Sequence, residues 1–337
     1  MKALSESHFW AINKNNSKET YQLSPFKVMV RKEVSDHVRS WRFILLLALV
    51  VLTFFASLYI SMSNIRTAFT NVNDPDHAFF YLKLLTATDG SMPPFHILMS
   101  FLAPLLGITM GFDAINSEQN SGSLTRLLAQ PIYRDNILLA KFYSAMLIIA
   151  TLFISLTLLM IGGGLFITGV RIEPQELLRI LGFAALTMVY VGFYLSLSIM
   201  LSVAFRHAAT SALTALGIWL FFTVFYPIVV NLAIRAFLPD AAYLTQSETM
   251  AYNELIMNVM RIAPGQLYSD GATTMLMPSI RSLGPMSMEQ LSGAIPSPLP
   301  LRESLMIVWP QLTGLLAGSI ACFALSYYLF MRREIRS

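Results

Sequence analysis

The chain has 337 residues, 55% of them hydrophobic and only 12% charged, with a formal net charge of +4. The charged fraction is about half that of an ordinary soluble domain, which excludes a soluble enzyme and points to lipid as the solvent. No basic stripe interleaved with aromatic residues suggests nucleic acid, and the lone cysteine, Cys322, rules out an internal disulfide.

Residues 1–25 are polar and without pattern, and read as a flexible N-terminal tail. Phe26, Val30, Val34, Val38 and Trp41 then recur at helical spacing, with Arg31, Lys32, Glu33, Asp36 and Arg39 among them. This pattern predicts a helix lying in the inner membrane interface; a soluble helix packed on the body is the alternative. Six apolar stretches follow that are long enough to span a bilayer: 43–62, 95–115, 142–167, 177–203, 211–233 and 305–330. The first has no cleavage-site pattern before it and reads as a retained anchor. Residues 26–337 thus form one six-span, all-α polytopic membrane domain.

Between the second and third spans lies a charged, amphipathic handle, GFDAINSEQNSGSLTRLLAQPIYRDNILLAKF at 111–142. It must leave and re-enter the bilayer on one side. A loop at 63–94 and a larger one at 238–302 face the other side. The larger loop carries a predicted helix over 247–261 followed by PGQ, SDG, LGP and IPSPLP breakers, which reads as a small helical cap. With both termini inside, fifteen Lys and Arg residues lie on the cytoplasmic side and eight outside. Arg39, Arg42, Arg206, Arg332 and Arg333 hug the proposed inner face, so the positive-inside rule places both termini in the cytoplasm and the chain in the cell's inner membrane.

Chemistry is scarce. There is no GxxxxGK[ST] run, no HxxxH or HExxH pair and no GxSxG elbow, so neither a nucleotide site of the P-loop kind nor a metal site is read here. Seven methionines crowd the outer loop, Met250, Met257, Met260, Met275, Met277, Met286 and Met288. Thioethers suit cuprous ion, but with no cysteine or histidine beside them packing is the favoured reading. Gly107/Gly111 and Gly314/Gly318 are GxxxG pairs that allow close helix approach and give weak support for self-association. Tyr226-Pro227 predicts either a tolerated kink or a bend lining a cavity. Few ionisable residues lie deep in the spans, which counts against a proton-coupled carrier or ion pump.

The run RKEVSDHVRSWRFIL at 31–45, followed by Asp113, Glu118, Gly122, Leu124, Leu127, Leu128, Pro131, Arg134, Ile137, Leu138 and Lys141, resembles the permease subunit of type-2 ABC exporters. That family includes the permeases of nitrous-oxide-reductase maturation transporters. Ala140 stands where the family usually has glycine, and Ser123 where threonine is commoner. The likeness covers most of the chain after residue 26, and substrate does not carry over.

The resemblance implies a coupling helix over 116–130 that docks into separate cytoplasmic ABC ATPase subunits through Glu118, Ser123, Leu124, Arg126, Leu127, Leu128, Pro131 and Arg134. ATP and Mg would be bound by those partners, and this chain would carry no cofactor. It implies pairing with a second copy of itself or a related permease. It also implies a cavity near the second and fifth spans, assigned by span order to Met99, Phe101, Leu105, Thr109, Trp219, Phe222, Phe225 and Tyr226. Rival classes are a stand-alone channel or carrier, a membrane-embedded enzyme, and a permease-like mechanotransmitter acting on an extracytoplasmic partner protein. The missing polar relay and missing catalytic set count against the first two. The large outer loop keeps the third open.

Overall fold

A computed structural model describes residues 25–63, 79–88, 90–123, 134–237, 246–279 and 299–332. Among these residues there is no strand, and six helical stretches are long and apolar enough to cross a membrane. The amphipathic α1 (Pro25–Arg39) leads through Ser40 into the first span, α2 (Trp41–Ser63). The loop between the first two spans then contributes α3 (Phe80–Thr86), whose residues are all buried. The second span is α4 (Phe95–Gly111), and the handle begins with the short α5 (Asn116–Asn120). The third and fourth spans are α6 (Arg134–Thr168) and α7 (Pro174–Ala204). The fifth is composite: α8 (Ala208–Leu220), a π turn (Phe221–Phe225) and α9 (Tyr226–Phe237). The helices α10 (Gln246–Met260) and α11 (Pro264–Leu276) precede the last span, α12 (Leu301–Arg332).

The fourth span, α7, is the axis of the bundle. It packs against α4, α6, α8, α11 and α12, and its side chains are the most enclosed of the six spans. Glycine permits the closest of these contacts. A Cβ at Gly107 would lie 2.6 Å from the Val191 carbonyl oxygen, and one at Gly111 would lie 2.8 Å from the Ser198 Cβ. Gly318 faces the Phe193 ring and Gly314 faces Leu267 in the same way. Both GxxxG pairs therefore pack helices within the chain.

Two prolines shape the polar contacts of the spans. Pro104, inside α4, cannot donate to the Ser100 carbonyl, and the Tyr190 hydroxyl donates to that oxygen instead at 3.2 Å. Pro227 likewise frees the Thr223 carbonyl. The ladder just before it steps to a π turn, with the Tyr226 N–H donating to the Phe221 carbonyl.

The loop between the fifth and sixth spans carries the expected helix, with a second one after it. Its helices form a hairpin that folds back into the bundle. α10 descends beside the fifth span until the Tyr226 hydroxyl donates to the Val259 carbonyl at 2.6 Å. α11 returns along α7, with Tyr268 stacked on Tyr190 at 4.4 Å and Met275 against Gly182. The PGQ and SDG segments, read as breakers, instead start this second helix and supply its tight face. Pro264 occupies the first turn, where no N–H is needed, and a Cβ at Gly271 would meet Leu186 at 2.7 Å. Arg179, fully buried near the N-terminal end of α7, donates to the Met275 carbonyl at 3.4 Å and the Ser304 hydroxyl at 3.0 Å. It pins the hairpin to the start of α12.

Candidate functional site

The handle is seated at the end of the bundle shared by α1, the start of α6 and the end of α12. Ser202, near the last turn of α7, accepts the N–H groups of Ile115 and Asn116 at 2.9 and 3.3 Å, which caps α5. The Asn120 side chain donates to the Arg206 carbonyl at 3.1 Å. The expected single helix over 116–130 is interrupted: α5 ends at Asn120, and Gly122 follows with φ +69°, the left-handed conformation that terminates helices.

Beneath the handle lies a buried ion cluster. Lys141, seven residues into α6 and 6% exposed, donates to Glu33 of α1 at 3.0 Å and to Glu118 of α5 at 2.9 Å. One ammonium thus joins three elements. Lys32 closes the arrangement from the rim, reaching Glu33 at 3.0 Å, Asp36 at 3.2 Å and Glu118 at 3.3 Å. Beside it, Arg42 pairs with Asp113 at 3.1 Å and lies over the Phe112 ring. A cavity of about 280 Å³ lies among these groups, lined also by His37, Thr109 and Ser117.

The charges hold one another. Burial works against ionisation of Glu33, but Lys141 and then Lys32 keep its carboxyl below the usual range. Burial also opposes the charge on Lys32, and Glu33 followed by Glu118 more than offsets it, raising its pKa. Burial pushes the His37 imidazole down, with Glu33 opposing. The second Glu118 oxygen, Oε2, is buried without a donor, so this carboxylate depends on the lysines at Oε1.

Other predicted residues disperse. In α1 the buried side is Met29 and Glu33, while Val38, Arg31 and Arg39 are exposed. Ser123 donates to the Glu118 carbonyl at 3.2 Å, and Arg134 opens α6. Leu124, Arg126, Leu127, Leu128 and Pro131 lie outside the described residues. Of the candidate cavity residues, Met99 is fully buried in the core, Phe101 and Phe225 are exposed, and Leu105 and Trp219 are half-buried. Thr109 lines the handle-end cavity. Only Phe222 and Tyr226 share a second cavity, of about 110 Å³, between the π turn, α7 and the hairpin tip.

The methionines separate too. Met260 lines that second cavity at the hairpin tip, and Met275 packs on Gly182 at the other end of α11; Met286 and Met288 lie outside the described residues. Sequence reading took Lys141 only as part of a family pattern. Its signal was a lysine placed inside a membrane helix, with two carboxylates on amphipathic segments able to meet it.

The model of the ABC-2 family transporter protein family matches residues 28–335. Among curated proteins, the probable ABC transporter permease protein NosY of Pseudomonas aeruginosa is 27% identical over 254 residues, 74% of this chain and 82% of that protein. The protein of the same name from Stutzerimonas stutzeri is 25% identical over 295 residues, 87% of this chain and 96% of its own length.

Proposed function

The chain belongs to the ABC-2 family of transporter proteins and is an ABC transporter permease subunit; we propose that it works as an exporter half driven by separate ATPase subunits. The permease itself is not an enzyme in this reading. ATP and Mg bind the partner ATPase, two permease subunits pair, and both termini face the cytoplasm of the inner membrane. The observation that carries the reading is the Glu33–Lys141–Glu118 cluster. A buried ammonium shared by α1, the handle and the third span is a rigid joint, and force applied to the handle by a docked ATPase reaches the spans through it.

Leu124, Leu127 and Leu128 of the handle are assigned as the anchors in the ATPase groove, with Arg126 and Arg134 at its rim. Truncating Leu127 and Leu128 together to alanine removes contacts of about 2 kcal/mol or more each if they are central anchors. The expected variant inserts and pairs, yet loses the ATPase on purification or uncouples hydrolysis from transport. Normal ATPase association and transport in that variant would remove the handle as the transmission point.

A further inference from the structure

The cavity at the hairpin tip is chemically one-sided. It lies within a single subunit, where the Arg261–Ala263 turn brings the end of α10 and the start of α11 against Ser100, Tyr190, Phe222 and Tyr226. Most of the donors on its wall are already committed. The Tyr190 hydroxyl donates to the Ser100 carbonyl, the Tyr226 hydroxyl to the Val259 carbonyl and the Ser100 hydroxyl to the Ile97 carbonyl. Gln266 directs its amide N–H to Asp270 at 2.7 Å. Aromatic rings, the Met260 thioether and acceptor oxygens remain, with the Thr223 hydroxyl and the Gly265 N–H as the donors beside them. No lysine, arginine or histidine lines the wall; Arg261 is turned to Asp270 at 3.2 Å.

We propose that this cavity binds an alkylammonium group. A positive charge with methyl or methylene substituents fits an enclosure of π faces and lone pairs, whereas an anion would meet few free donors and repulsive ring faces. Phe222 and Tyr226, whose centroids are 5.8 Å apart, supply the aromatic rings that remain half-buried in the lining, and the fully buried Tyr190 reaches it beside Gly265 with its hydroxyl. Tyr190 is held by Tyr268 in a stack tilted by 8°, which fixes the hydroxyl beside the cavity. The volume of about 110 Å³ admits a small ammonium head and leaves an attached chain to follow the cavity's open side. The site sits on the π turn, a helical irregularity frequent at functional positions. Occupancy is a property of the subunit and does not require that the ligand be transported.

The test uses the full chain, with whatever subunits accompany it, in phosphatidylglycerol nanodiscs. Choline and its uncharged carbon isostere 3,3-dimethylbutan-1-ol are titrated, with acetate as the anion, and binding is read from the thermal midpoint and intrinsic fluorescence. Choline is expected to saturate, the isostere to bind at least about ten-fold more weakly, and acetate not to bind. Phe222→Leu keeps bulk and removes a π face, and should weaken choline by roughly 3- to 30-fold, while Phe222→Trp should not weaken it. Equal binding of choline and isostere, or a choline affinity unchanged by Phe222→Leu, overturns the proposal, as does absence of choline binding in the parent. Repeating the titration with phosphatidylcholine in the disc separates the sources. Lost response to free choline identifies a lipid headgroup as occupant, and a retained response identifies a soluble amine.

Discussion

At the scale of single residues, the most informative side chain is Lys141, because its loss strands two carboxylates. Removing one partner of a buried ion pair costs about 3–5 kcal/mol, whereas replacing all members with neutral groups of similar shape costs far less. Lys141→Met should therefore be strongly destabilising, and the triple Lys141→Met, Glu33→Gln, Glu118→Gln should recover most of the stability without recovering coupled transport. Thermal unfolding and transport by the two variants check this, and a triple variant no more stable than Lys141→Met would contradict it. The pH response has a definite sign. His37 and Glu33 both have folded pKa values below their ordinary 6.5 and 4.5, so the unfolded state binds more protons as pH falls. Stability of the handle end should hold above pH 6.5, decline as His37 is forced to protonate, and drop again below 4.5. Lys32 acts oppositely: its contribution is complete below 10.5 and is lost only at higher pH, through its raised folded value.

At the scale of elements, the six spans were legible in the sequence because lipid enforces long apolar runs. Their helices depart from the expected edges chiefly at α6, which begins at Arg134 instead of 142. What local pattern hid was tertiary. Phe80–Thr86 gave no periodic signal because every side is buried, and Pro264 and Gly271 punctuate α11 without ending it. A glycine required by a neighbour's approach looks, in sequence, like a glycine required by a turn. The same ambiguity affected the GxxxG pairs, and their packing within the chain yields a graded prediction. Gly107→Ala puts a Cβ 2.6 Å from backbone oxygen on α7 that cannot move aside, whereas Gly318→Ala meets the edge of the Phe193 ring at 2.9 Å, a side chain able to rotate. Overpacking of this kind costs about 1–3 kcal/mol. Gly107→Ala should lower the unfolding midpoint clearly more than Gly318→Ala, and neither should change the oligomeric state. Loss of pairing in either variant would return the motif to the subunit interface.

At the scale of the whole molecule, the two ends of the bundle are built differently, and the difference sets the expected orientation. One end gathers α1, the handle, Arg206 and Arg332 around an ion cluster with exposed basic rims. The other end is closed by α3 and the hairpin, with Arg179 buried and Glu176 accepting the Tyr81 N–H at 2.9 Å. Basic residues flanking short loops favour the cytoplasmic side, and in the proposed function the ATPase meets the handle there. Single cysteines at Asn73 and Ser282, introduced in a Cys322→Ala background, should react with an impermeant thiol reagent in cells whose outer membrane alone is permeabilised. A cysteine at Ser17 should stay protected until the inner membrane is opened. Because α1 and Arg332 lie at the same end, labelling of Ser17→Cys with protection of the other two would invert the molecule and leave the handle facing away from any cytoplasmic ATPase. Labelling at all three positions before the inner membrane is opened would instead contradict the single crossing, α2, that separates residue 17 from residue 73.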